Sequence, residues 1–157
     1  MRSLQQQAVK MTQDAQHNLF VNARAIPEDK QSDWTPAPEA RSVLSQLQEC
    51  AIVPYFFASL LTDVDPSDPA VLERRKQAEA AIVSIDTAEA IAEASHKALY
   101  DAILSVSDAD LDTVCAVPWD DKATKGDIIF FSYWNLVYHV GQINYMQLIL
   151  GDKQMHF

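Results

Sequence analysis

Apolar positions recur every three or four residues along most of the chain, and clusters of Pro, Asp and Ser cut that pattern into segments of helical length. Leu4, Val9, Met11, Ala15, Leu19 and Ala23 form a loose stripe, so the spacing predicts a helix over 3–25 that Pro27 ends. A second helix is predicted over 39–61, with Val43, Leu44, Leu47, Ala51 and Phe57 on one side. Pro54 lies inside it and removes the bond to the Cys50 carbonyl, which predicts a local distortion one turn after Glu49. A short charged helix is expected over 71–82. Asp86 and Glu89 read as a capping box opening a third long helix to 106, striped by Ile91, Ala94, Ala98 and Ile103. Residues 107–127 are a connector that Leu111, Val114, Val117 and Trp119 should anchor to the bundle. Thr124 and Asp127 form a second capping-box pattern before a last helix over 125–150, with Gly151 at the C-terminal cap.

Four long amphipathic segments with no strand signal of comparable length predict one all-α domain over 1–157. It is read as a four-helix bundle with long connectors and a short extra helix. Its topology is up and down unless a connector crosses over. Composition agrees: 157 residues, 48% apolar, can build one core, and three glycines make turn-dense sandwiches and phosphate-binding glycine loops poor fits.

Charge narrows the partners. Twelve basic against 22 acidic residues give a net charge of −10, and the one basic cluster, Arg74-Arg75-Lys76, is flanked by acidic residues, so nucleic acid is excluded as a partner. No stretch approaches the roughly 18 apolar residues of a membrane span, and the polar start lacks a signal-peptide core, which predicts no membrane partner and a cytoplasmic location. Cys50 and Cys115 lack metal or redox spacing and read as ordinary thiols.

Candidate chemistry concentrates on the last helix, where polar residues interrupt an apolar stripe: Ile128, Ser132, Asn135, His139, Gln142, Met146, Ile149. Asn135 and His139 are four apart, on adjacent turns of one face. A second apolar face, Phe130, Trp134, Val137, Gly141, Tyr145 and Leu148, implies that this helix buries two sides, and Gly141 suggests a close approach by a backbone or a ligand. Glu49 sits among apolar neighbours on the second helix. If it points inward, it must be neutral, hydrogen-bonded, ion-paired or metal-bound. His17 and Asn18 are weaker candidates, and His96 and His156 read as exposed.

The run from Trp34-Thr35-Pro36 through Arg41-Ser42-Val43-Leu44 to Glu49-Cys50-Ala51, with Trp134 to Tyr145 and Leu150-Gly151-Asp152, resembles the DinB/YfiT-like superfamily. That resemblance implies a dimeric four-helix bundle with a metal held by three His, one on the second helix and two, four apart, on the last. It also implies metal activation of a low-molecular-weight thiol, as in thiol transferases. This chain departs at two of the three positions. Glu49 stands where the first His belongs and Asn135 at the first His of the pair, which leaves His139 matched.

Glu49, Asn135 and His139 are therefore the candidate metal ligands, for one divalent ion (Ni, Zn, Mn or Mg) bound weakly or not at all. The competing reading is a metal-free core in which Glu49 accepts hydrogen bonds from Asn135 and His139. The functions that follow are a metal-dependent thiol transferase or hydrolase and, against it, a non-catalytic small-molecule-binding or stress-response homodimer that has lost the three-His site.

Overall fold

A computed structural model describes residues 2–157. The described residues form five α-helices: α1 (Leu4–Ala25), α2 (Val43–Leu61), α3 (Pro69–Ala81), α4 (Ile85–Ser105) and α5 (Lys125–Ile149). Among the described residues there is no strand, and no helix is long and apolar enough to cross a membrane. Each long helix opens on a side-chain cap that satisfies otherwise orphaned amides: Ser3, Ser42, Ser84 and Thr124. The capping box of α4 is Ser84 with Thr87, and Asp86 and Glu89 instead pair with Arg24 of α1. α2 begins at Val43 rather than near residue 39, because Ser42 supplies the cap, and it continues through Pro54.

Long-range hydrogen bonds set the directions. Arg24 at the end of α1 meets the start of α4, and Gln147 near the end of α5 donates to the Asn22 carbonyl near the end of α1. Lys125 at the start of α5 meets Asp63 just past α2. Thus α1 and α5 run together, and α2 and α4 run against them. α1 packs on α5 and α4, while α2 packs on α4 and α5, so connectors 26–42 and 106–124 each cross a diagonal of the bundle. The parallel pair α2 and α4 is joined by the return segment that contains α3. Ala78 is the single buried residue of α3 among the described residues, and the helix rests on α2.

The core divides into two apolar clusters. One is built on Leu19, Leu47, Ala92 and Ile143, and the other on Leu99, Ile103, Ile128 and Ile129. Thr12, Ser95, His96 and Ser132 are all buried as well. The core stripe of α4 is Ile85, Ala88, Ala92, Leu99 and Ile103, which turns His96 inward. It is fully buried, not exposed. In the connector, Val117 is buried as expected and Trp119, though largely exposed, rests its ring against Phe56 of α2 and Phe131 of α5, whereas Val114 stands in solvent.

α5 buries Ile129, Ser132, Leu136, His139, Ile143 and Met146. Its second apolar face is not covered by the described residues: Trp134 is 63% exposed and Tyr138 64%, with Val137, Tyr145 and Leu148 beside them. At Gly141 a Cβ would meet nothing within 4 Å, so none of the described residues makes the close approach that the glycine suggested.

Candidate functional site

α2 and α5 cross where Glu49 faces Asn135 and His139, so the three candidate ligands lie together. Asn135 Nδ2 donates to Glu49 Oε1 at 2.7 Å, and His139 Nε2 lies 3.2 Å from the same oxygen. The other carboxylate oxygen, Oε2, pairs with the Arg41 guanidinium. Arg41 precedes α2 and is laid along its first turns by further bonds to the hydroxyl and carbonyl of Ser45. Glu49 retains 40% side-chain exposure whereas His139 is 1% exposed, so the cluster is sealed on the α5 side and open on the α2 side.

The far nitrogen of His139 is equally constrained. Nδ1 lies 3.1 Å from both Gln46 Oε1 and Gln142 Oε1. Amide oxygens only accept, so Nδ1 carries the proton. The Gln46 amide is oriented independently, because its nitrogen donates to the Arg41 carbonyl and the Met146 sulfur. With Nδ1 donating, Nε2 and Glu49 Oε1 would face each other as lone pairs unless a proton or a cation lies between them. Burial works to raise the Glu49 pKa, but the bonds from Arg41, Asn135 and His139 outweigh it and hold the carboxyl below its ordinary value of 4.5.

The residues can be tested against a divalent ion. The 3.2 Å separation of Nε2 and Oε1 matches two adjacent ligands at about 2.1 Å from one centre, and the buried Asn135 Oδ1 has no partner among the described residues. Against that, Asn135 presents N–H rather than oxygen to the shared point, and Arg41 already neutralises the carboxylate. An ion would need the Asn135 amide turned over and the guanidinium withdrawn. As arranged, the cluster fits a proton. Among the described residues no three His, Cys, Asp or Glu side chains are grouped to hold a metal.

A cleft of about 580 Å³ lies against this cluster, walled by Arg41, Gln46, Gln142, Tyr145, Met146 and the 36–40 segment. The glutamines form its polar wall and stand between the cleft and His139. Sequence reasoning missed Arg41 and Gln46 as site residues. Gln46 is buried one turn before Glu49, between the apolar positions Val43 and Cys50 on the same helix face, and that interruption of the stripe was the available signal. His17 is exposed and takes no part. His156 is partly buried through a 2.7 Å bond with Asp152. Burial pushes the Cys50 thiol pKa well up, which leaves it an inert apolar residue. No family model, curated protein or solved structure matches the chain.

Proposed function

We propose that this chain is a small-molecule-binding helical bundle of the DinB-like type, in which a hydrogen-bonded, proton-holding cluster replaces a three-His metal centre. The supporting observation is the saturation of Glu49, with Oε2 taken by Arg41 and Oε1 shared by Asn135 and His139. The ligand occupies the cleft beside the two glutamines, whose volume lies within the range of small-molecule sites. Met146 and Ile149 favour an apolar body, and the Gln142 amide nitrogen, which has no hydrogen-bond partner among the described residues, favours a polar acceptor on it. Binding is favoured over catalysis because His139 reaches the cleft only through those amides.

Elemental analysis of the purified protein tests this reading. The expected result is no stoichiometric metal and a melting temperature insensitive to chelator. One tightly held ion per chain would overturn it. In an NMR fragment screen the side-chain amide signals of Gln46 and Gln142 should be those that shift.

A second reading, a metal-dependent thiol transferase or hydrolase, is favoured by the orphaned Asn135 Oδ1 and by His139 Nδ1 donating to carbonyl oxygens, as metal-bound imidazoles do. Here Glu49, Asn135 and His139 would hold the ion, which would supply Lewis acidity, and His139→Ala would abolish loading. The uncovered α5 face supports a homodimer in either case. Sedimentation should give the dimer mass at micromolar concentration, and Tyr138→Glu the monomer. Two cysteines free of disulfide fit a cytoplasmic setting.

A further inference from the structure

A second pocket, of about 310 Å³, lies between α2 and α3 and is lined by Ser45, Glu49, Ile52, Val53, Arg75 and Glu79 among others. Arg75 is its unusual member. The guanidinium lies over the Phe56 ring, 5.8 Å from the centroid, and Nε is buried without a hydrogen-bond partner among the described residues. Arg75 forms no ion pair or hydrogen bond among the described residues, so a ligand anion that reaches its guanidinium gains a charge-assisted bond without displacing a protein partner.

Glu79, four residues further along α3, lines the same pocket and is exposed. Arg before Glu at this spacing is the weaker orientation for an intrahelical pair, and the two side chains form no ion pair among the described residues. Glu49, on the opposite wall, is occupied by Arg41, Asn135 and His139. The pocket thus offers one free cation and one free carboxylate on a single wall, beside the apolar side chains of Ile52 and Val53.

We infer that this pocket binds a free α-amino acid with a small aliphatic side chain. Its carboxylate pairs with Arg75, its ammonium group with Glu79, and its side chain packs on Ile52 and Val53. A phosphate ester would bring its charge against Glu49 and Glu79 in a chain of net charge −10, and a simple amine would leave Arg75 unpaired. The volume sits at the lower end of small-ligand sites, which suits a molecule of this size. α3 is held through one buried residue, Ala78, so it can settle onto a ligand without disturbing the bundle. The pocket shares Arg41 with the cleft beside Gln46 and Gln142 and borders Glu49 of the buried cluster, but the residues given to the ligand here, Arg75, Glu79, Ile52 and Val53, do not line that cleft.

Calorimetric titration of the whole protein with L-leucine, with 4-methylpentanoate (no ammonium group) and with isopentylamine (no carboxylate) tests it. Leucine should bind saturably, and each truncated analogue at least about tenfold more weakly. Arg75→Ala should weaken leucine by at least about tenfold, and Glu79→Gln should weaken leucine while leaving 4-methylpentanoate unchanged. Circular dichroism confirms that each variant is folded, and Arg75→Gln serves if the alanine variant is not. No saturable binding up to about 10 mM leucine, equal affinity for all three probes, or undiminished binding by the Arg75 variants would overturn the inference.

Discussion

Two buried histidines in this bundle have opposite surroundings. His96 donates from Nδ1 to the Ala92 carbonyl, 2.9 Å away, and its Nε2 lies 3.2 Å from the Ser132 hydroxyl, which donates to it. Each nitrogen has one complementary neutral partner, and burial pulls the pKa down from 6.5 to about 4, against a smaller upward pull from the Ala92 carbonyl. His139 has acceptors on both sides, two amide oxygens and a carboxylate, and Glu49 carries that cluster to the surface. A Ser–His pair sealed in apolar packing holds the core together. A His–Glu pair with a route to solvent has a proton or a cation to place and a cleft beside it. What each ring touches, rather than the presence of histidine, separates structure from candidate function.

The largest effect that could break this contrast is on stability. His96→Ala deletes a ring enclosed on all sides and strands the Ser132 hydroxyl, so it should cost about 3–4 kcal/mol. His139→Ala should cost about 2 kcal/mol, because Glu49 keeps Arg41 and Asn135 and water can enter from the cleft. Urea unfolding of the two variants measures the difference. Equal or reversed costs would mean that the two sites are the same kind of core.

Acid sharpens the comparison. His96 has a folded pKa below its unfolded value, so the unfolded chain takes up the proton first. The stability it contributes is whole above pH 6.5 and falls as the pH drops toward about 4, a loss of about 3 kcal/mol. Glu49 is also held below its ordinary value, so its contribution is whole above 4.5 and is lost below that. The two windows overlap only between about pH 4 and 4.5, so most of each limb belongs to one group. His96→Leu should flatten the profile above pH 4.5, and Glu49→Gln should flatten it below, each leaving the other limb intact.

Helix existence, the single bundle and the meeting of Glu49 with Asn135 and His139 were legible because long side chains recur at helical spacing and polar residues interrupt the stripe of α5. His96 was not. α4 is rich in alanine, which suits core and surface alike, so the stripe could be drawn through Ile91, Ala94 and Ala98 or through Ala88, Ala92 and Leu99. The first phase turns His96 outward and the second buries it. The second face of α5 was legible as apolar, but whether one chain covers it depends on how helices are arranged around it, which periodicity does not encode. Arg41 escaped notice because it precedes its helix and reaches Glu49 by lying along two turns, a path set by its bonds to Ser45 rather than by any fixed spacing.

The smallest effect isolates Arg41. The Arg41–Glu49 pair is about 40% exposed on both sides, and exposed pairs are worth less than about 1 kcal/mol, so Arg41→Ala should barely move the melting curve. The titration should move more visibly. Without the guanidinium, burial opposes ionisation of Glu49 with only Asn135 and His139 to resist it, so its carboxyl pKa should rise, read by NMR at the Glu49 carboxyl carbon. The same variant frees Oε2 for an ion. If Arg41 is what closes the site to metal, Arg41→Ala should bind added zinc or nickel measurably where the parent chain does not, and His139→Ala in the same background should abolish that binding. Identical metal titrations with and without Arg41 would show that Glu49 is closed by Asn135 and His139 alone.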